Sequence, residues 1–143
     1  MINTKPPRIK DSAYILNNIG VNLADQGYYD EVFNYHQQTL YIRQIYYPSD
    51  HTDIAISLDN IGRILRRQRK YDQAFDYYQQ ALKIREKFYP SGHIDIARSL
   101  NNIGKVLNDQ QRCEEALDYY QRALKMRENY FPSGHILCCT YFE

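Results

Sequence analysis

Three histidines recur at a fixed interval in this chain: His51, His93 and His135 are each separated by 42 residues. Histidine is the commonest metal ligand in proteins, so the first chemistry to consider for such a set is a metal site. One zinc ion binds its ligands at about 2 Å, whereas successive packed helices lie about 10 Å apart. The three side chains therefore cannot share an ion, and we expect them to help start the helices that follow. The sequence predicts no metal and no other cofactor.

Asparagines form a second recurring group, with Asn18, Asn60 and Asn102 at the same interval and Asn17 and Asn101 beside them. An asparagine side chain offers a carbonyl acceptor and an NH₂ donor, which match the two groups that an extended peptide backbone presents. Asparagine is also a poor helix residue. Its recurrence where a better helix former would fit favours a row that binds a peptide, and the alternative is a set of solvated helix positions.

Basic side chains lie around the second and third asparagines of this row. They are Arg63, Arg67, Arg98 and Lys105, with Arg66, Arg69 and Lys70 nearby. A basic groove would favour acidic peptides and raise their association rate. The alternative is an ordinary solvated face, because Asp59 and Asp109 offset part of the charge. The net charge of the chain is only +1, which argues against nucleic acid as the partner.

No catalytic motif accompanies these residues. The sequence contains no phosphate-binding glycine loop, no HExxH and no CxxC, so we expect a protein that is not an enzyme. Its cysteines, Cys113 and the adjacent Cys138 and Cys139, do not form a disulfide framework, and we interpret them as free thiols in the cytoplasm. No apolar run approaches the roughly 20 residues that a membrane span needs, so no membrane association is expected.

The residues named so far belong to a longer repeat. Gly20, Gly62 and Gly104 keep the same interval of 42 residues, and residues 55–96 and 97–138 agree at 23 of 42 positions. A fixed period of this length is typical of proteins built from stacked copies of one small unit. We therefore expect three stacked units rather than one ordinary domain.

Each unit contains two helical patterns separated by a short polar turn. In the third copy, Leu100, Ile103, Gly104 and Leu107 lie on one face of a helix, and a second helical pattern includes Ala116. A turn this short makes the two helices antiparallel neighbours, and Pro48, Pro90 and Pro132 end each second helix. The predicted helices are 11–26, 29–47, 52–68, 71–89, 94–110 and 113–131.

At these positions the sequence resembles the tetratricopeptide repeat (TPR) family. The positions that carry the resemblance are Leu100, Ile103, Gly104, Leu107, Ala116, Tyr120 and Ala123, where that repeat has large, large, glycine, large, alanine, aromatic and alanine residues. The 42-residue period and the longer second helix resemble the subclass found in kinesin light chains. The resemblance implies an all-α, right-handed α-solenoid of three repeats. In such a solenoid the first helix of each repeat lines a concave surface, which would hold the asparagine row and the basic residues.

The first and last parts of the chain depart from the pattern. Val32, His36 and Thr39 replace the alanine, the aromatic residue and the second alanine in the first repeat, and terminal repeats are often atypical. We interpret His36 as a core or capping residue rather than a ligand. We expect Pro6 and Pro7 to delay the first helix, which leaves a frayed leader.

The expected organisation is a flexible leader at 1–10, a degenerate repeat at 11–51, repeats at 52–93 and 94–135, and the truncated start of a fourth repeat at 136–143. The function that the resemblance implies is a non-catalytic scaffold or adaptor, similar to a kinesin light chain cargo adaptor, which binds a peptide segment of a partner in the concave groove. The basic residues of the groove favour an acidic segment. The alternatives are a spacer that self-associates through its uncapped C-terminal repeat and a regulatory part of a larger protein.

The asparagine row generates the first testable prediction. We expect Asn60→Ala combined with Asn102→Ala to abolish capture of a partner peptide, because both hydrogen-bonding groups of each amide are removed. Helical circular dichroism should stay unchanged. Loss of helicity together with binding would instead mean that the asparagines are structural.

Overall fold

Residues 7–130 form six α-helices joined by short turns. A computed structural model describes the backbone of residues 7–130 and the side chains of residues 11–24 and 26–130. The helices are α1 Pro7–Asp25, α2 Tyr29–Tyr46, α3 Thr52–Arg67, α4 Tyr71–Phe88, α5 Ile94–Asp109 and α6 Cys113–Tyr130. The predicted all-α fold of three helix-turn-helix repeats is therefore confirmed.

The helix bounds differ from the prediction mainly at the beginning of the chain. Helix α1 begins at Pro7, four residues before the predicted start, so residues 7–10 of the expected leader are helical. The expectation that Pro7 would delay the helix was wrong, because proline has no N–H to lose at the first helical position and its fixed φ suits a helix. The start of a fourth repeat at 136–143 lies outside the described residues.

The six helices form two rows. We call α1, α3 and α5 the leading helices and α2, α4 and α6 the trailing helices. Each leading helix packs on the trailing helix of its own repeat, and α3 and α5 also pack on the trailing helix before them. One continuous apolar core runs through the second and third repeats and includes Ile61, Leu65, Ile103 and Leu107. Polar contacts tie adjacent repeats at their turns, where Gln110 Nε2 donates to Asp72 Oδ1 at 2.7 Å.

A glycine in each leading helix faces a ring from the trailing helix of the same repeat. A Cβ added to Gly62 would lie 2.9 Å from Cε1 of Tyr78, and one added to Gly104 would lie 2.7 Å from Cε1 of Tyr120. Such distances are too short for carbon atoms that are not bonded. The recurring glycines therefore allow the aromatic ring to lie directly against the backbone of the leading helix.

The first repeat fills the same place with a histidine. A Cβ on Gly20 would lie 2.9 Å from Cε1 of His36, and His36 is fully buried. Neither ring nitrogen has a hydrogen-bond partner among the described residues. Burial and the nearby guanidinium groups of Arg63 and Arg43 lower the pKa of His36 to about 4. His36 is thus a neutral core residue, as the sequence indicated.

Two of the recurring histidines start leading helices. Nδ1 of His51 accepts a hydrogen bond from the backbone N–H of Asp53 at 3.1 Å, and Nδ1 of His93 accepts one from Asp95 at 3.2 Å. Each ring also stacks on a tyrosine that ends the preceding trailing helix, with centroids 4.0 Å apart for Tyr47 and His51. The predicted helix-starting role is confirmed at these two positions, and His135 lies outside the described residues.

The contact between Gly62 and the ring of Tyr78 predicts how a methyl group added at Gly62 would change the free energy of unfolding. Gly62→Ala gains about 1 kcal/mol of helix propensity, but it overpacks a ring that is only 3% exposed, which costs about 1–3 kcal/mol. We expect a lower free energy of unfolding, by about 1 kcal/mol, in urea denaturation.

The matched control is Gly62→Ala with Tyr78→Leu, in which the smaller side chain leaves room for the methyl group. The two changes together should cost less than the sum of the single changes. A Gly62→Ala variant more stable than the parent would show that the ring does not require the glycine.

His36 predicts a pH dependence of stability. Above pH 6.5 the side chain is neutral in both states and contributes its full stability. As the pH falls towards 4, the unfolded chain binds the proton while the folded chain does not, so the free energy of unfolding decreases, by up to about 3 kcal/mol. His36→Phe should flatten this part of the profile in urea denaturation between pH 7 and 4. Parallel profiles for the two proteins would contradict the assignment.

Candidate functional site

The site lies between the leading helices of the second and third repeats. A pocket of about 380 Å³ opens between α3 and α5, with α4 contributing to its wall. We call it the α3–α5 pocket. Its lining residues are Ile56, Asp59, Asn60, Arg63 and Arg66 from α3, Tyr78 and Arg85 from α4, and Arg98, Asn102 and Lys105 from α5.

Five of the nine residues predicted to form the binding groove line this pocket. They are Asn60, Asn102, Arg63, Arg98 and Lys105. The pocket lining does not include the other four, which are Asn17, Asn18, Asn101 and Arg67. The shared period brings the residues of α3 and α5 together, because equivalent positions of stacked repeats lie side by side.

The asparagines of the row hydrogen-bond from one repeat to the next. Nδ2 of Asn60 donates to Oδ1 of Asn17 at 2.6 Å, and Oδ1 of Asn60 accepts from Arg63 at 3.3 Å. Asn102 lies near Asp59, and its amide lowers the pKa of that carboxyl group. Part of the hydrogen-bonding capacity of these amides is therefore used between leading helices. Alanine at Asn60 and Asn102 would remove contacts between repeats as well as groups that face the pocket.

An arginine from the trailing helix was missed in the sequence. Arg85 is 2% exposed, lies 2.6 Å from Oδ2 of Asp59 and donates to Oγ of Ser99 at 2.5 Å. Only leading helices were considered as sources of groove residues, so Arg85 was left out. The signal was present in the recurrence of Arg43, Arg85 and Arg127 at the 42-residue interval.

Asp59 is the one carboxylate in the lining of this pocket. Burial raises its pKa, and the guanidinium of Arg85 and the amide of Asn102 oppose that shift. Removing the one close partner of a buried charge strongly destabilises a protein, because the remaining charge is left uncompensated. Asp59 and Arg85 therefore hold the pocket wall together, and their charges offset each other.

Two of the remaining cations of the pocket are also paired with carboxylates. Arg66 binds Asp109 of α5, with Nε and Oδ2 2.5 Å apart, and Arg98 lies 3.3 Å from Asp95 on its own helix. Arg63 and Lys105 form no ion pair with any carboxylate among the described residues. Arg63 comes from α3 and Lys105 from α5, and the two leave the pocket with excess positive charge.

Lys105 lies in an electropositive environment. Burial and the neighbouring guanidinium groups of Arg66 and Arg127 lower its pKa. An anion bound beside Lys105 would relieve this repulsion.

The match to a family model agrees with this arrangement of helices. A model of the tetratricopeptide repeat matches residues 11–87, 70–129 and 95–141. The chain belongs to the tetratricopeptide repeat family. TPR domains generally mediate interactions between proteins and are typically non-catalytic. A comparison with curated proteins finds no match.

Solved structures with the same fold are only distantly related in sequence. BtubC (BKLC) from P. vanneervenii is 20% identical with a TM-score of 0.78, covering 86% of this chain and 48% of its own. A protein described as a kinesin light chain with nearly identical TPR-like repeats, from Podosopora anserina, is 16% identical with a TM-score of 0.73, covering 94% and 62%. The TPR domain of Arabidopsis FLU is 19% identical with a TM-score of 0.73, covering 85% and 98%.

These structures support the fold and not a shared role, because their identity to this chain is low. The chain spans less than two thirds of the length of the first two. Within residues 7–130, no helix is long and apolar enough to cross a membrane. The same part of the chain contains no group of three or more histidine, cysteine, aspartate or glutamate side chains placed to hold a metal ion.

Proposed function

We propose that the α3–α5 pocket binds an acidic segment of a partner protein. Arg63 and Lys105 both line it without a carboxylate partner among the described residues, and this observation carries the proposal. A carboxylate between Arg63 and Lys105 would be attracted by both cations. It would also offset the repulsion between Lys105 and the guanidinium groups near it. An acidic segment would also associate faster than a neutral one in such a field.

The asparagine row supports an extended backbone in the bound segment. Asn60 and Asn102 both line the pocket, and an amide has a second donor that its contacts within the fold do not use. At about 1 kcal/mol for each hydrogen bond, a short peptide would bind with micromolar affinity. In this proposal the cations select acidic sequences and the amides hold the peptide backbone.

The finer role is that of a non-catalytic scaffold or adaptor, comparable to the cargo adaptors among kinesin light chains. The family membership supports this role, because TPR domains generally mediate interactions between proteins. We place it in the cytoplasm, because Cys113 is an exposed free thiol and such thiols persist in reducing compartments.

The two unpaired cations provide the direct test. Arg63→Gln with Lys105→Gln removes the excess positive charge and leaves the pairs Asp59–Arg85 and Arg66–Asp109 in place. We expect at least tenfold weaker binding of fluorescently labelled acidic peptides, selected from a peptide array, in anisotropy titrations. The parent protein should lose affinity as salt increases, and the variant should show a smaller salt dependence.

Lys83→Gln with Lys125→Gln is the matched control. It makes the same change in net charge on exposed positions of trailing helices, so it should bind the acidic peptides like the parent. Equal weakening of peptide binding in both variants would show that the effect comes from the overall charge of the protein and not from the pocket. Unchanged binding in the pocket variant would overturn the proposal.

A further inference from the structure

The excess charge of the α3–α5 pocket indicates the charge of the ligand group that fits it. The lining contains five cationic side chains and one carboxylate, and three of the cations are paired with carboxylates. Arg63 and Lys105 keep two positive charges without a carboxylate partner among the described residues. One carboxylate of a ligand would neutralise only one of these charges. The pocket is therefore suited to a group that carries close to two negative charges.

A third cation adds to the positive field at Lys105. Burial and two nearby guanidinium groups, one of them that of Arg127, lower the pKa of Lys105. Arg127 is equivalent to Arg85 of the preceding repeat, but Asn101 stands where α3 has Asp59. Arg127 therefore lacks the kind of carboxylate that pairs with Arg85. A doubly charged anion beside Lys105 would offset more of this field than a singly charged one.

The carboxylate of the pocket lining does little to repel such an anion. Oδ2 of Asp59 lies 2.6 Å from Nη1 of Arg85, and both side chains are largely buried. Opposite charges at this short distance offset each other's field at longer range. A ligand anion beside Arg63 and Lys105 therefore encounters mainly their positive charge.

The hydrogen-bond donors of the two cations suit a phosphate group better than a carboxylate. Nη2 of Arg63 donates to Oδ1 of Asn60 at 3.3 Å, which is slightly longer than usual for such a bond. A guanidinium carries five N–H donors and an ammonium carries three. A phosphate monoester offers three acceptor oxygens to these donors, whereas a carboxylate offers two. A phosphate would therefore satisfy more of the donors that Arg63 and Lys105 present.

An extended segment brings its side chains to the pocket one at a time. Successive side chains of an extended chain point to opposite sides, and those on the same side are about 7 Å apart. With the backbone held by Asn60 and Asn102, one side chain has to supply most of the negative charge. A phosphorylated residue carries a charge of about −1.5 to −2 at pH 7, which matches the two cations.

We propose that the acidic segment bound in the α3–α5 pocket carries a phosphorylated residue, whose phosphate group contacts Arg63 and Lys105. This inference rests on the proposed function and specifies the chemistry of its ligand. Recognition of a phosphate by clustered cationic side chains is a recurring mode of peptide binding. Phosphorylation of the partner protein therefore determines when the pocket binds it.

Three labelled peptides test the charge requirement. Each has about nine residues, of alanine and glycine with two aspartates, and they differ only in the central residue, which is serine, glutamate or phosphoserine. Each peptide is titrated with the whole protein and followed by anisotropy. We expect the phosphoserine peptide to bind about tenfold more tightly than the glutamate peptide at about pH 7.5, because it carries the larger charge. The serine peptide should bind most weakly.

The pH dependence distinguishes a phosphate from a carboxylate. The second ionisation of the phosphate has a pKa of about 6, whereas a glutamate titrates near 4.3. Between about pH 7.5 and about pH 5.5 the phosphoserine peptide loses most of its second charge and the glutamate peptide loses little. The preference for phosphoserine should fall to about threefold or less. Both peptides are compared on the same protein at each pH, so titration of the protein affects both.

The pocket variant and its charge-matched control locate the phosphate. Arg63→Gln with Lys105→Gln should bind the phosphoserine and glutamate peptides with similar affinity. Lys83→Gln with Lys125→Gln should keep the preference of the parent. Circular dichroism checks that each variant is folded.

Four outcomes would overturn the proposal. Equal binding of the phosphoserine and glutamate peptides to the parent would do so and leave the binding of an acidic segment in place. Failure of the parent to bind any of the peptides would overturn both proposals. A preference for phosphoserine that persists in the pocket variant would assign the phosphate to another surface. Inorganic phosphate that competes as strongly as the phosphoserine peptide would assign the pocket to a free anion.

Discussion

The contact between a glycine of the leading helix and a ring of the trailing helix sets the geometry of every repeat. With no Cβ at Gly62 or Gly104, the rings of Tyr78 and Tyr120 lie directly against the backbone of the leading helix. The close approach of the two helices buries the leucines and isoleucines on either side, which supply most of the stabilisation through apolar area removed from water. His36 makes the same contact in the first repeat, at the cost of a buried imidazole that finds no hydrogen-bond partner within the described part of the chain.

Because the repeats stack, equivalent residues of successive repeats come together in one site. Because the repeats keep one register, a side chain at a given position of α3 lies beside its equivalent in α5. The α3–α5 pocket arises in this way from Asn60 and Asn102 and from Arg63 and Lys105. Fixed ion pairs within the wall, such as Asp59–Arg85, use some of the charge for structure. Arg63 and Lys105 have no carboxylate partner among the described residues, and they are the cations to which we assign the proposed ligand.

The fold could be predicted from the sequence because its signals are local and repeated. Helical spacing, turn residues and the 42-residue period each pointed to the same three helix pairs, and the predicted ends were correct to within about two residues except at Pro7. The site was predicted only in part. Arg85 was missed because it reaches the pocket from another helix, and the hydrogen bond from Asn60 to Asn17 depends on the distance between repeats. Such distances follow from packing, which a linear pattern does not encode.

The histidine caps join two tasks that are usually separate in a repeat protein. Nδ1 of His93 caps α5 while the face of its ring stacks on Tyr89 at 3.7 Å, with the two planes 2° apart. The end of one repeat and the beginning of the next are thereby held by a single imidazole. A change at Tyr89 or His93 would therefore alter the angle between successive repeats. The curvature of the array, and with it the width of its groove, would change while each helix pair kept its own core.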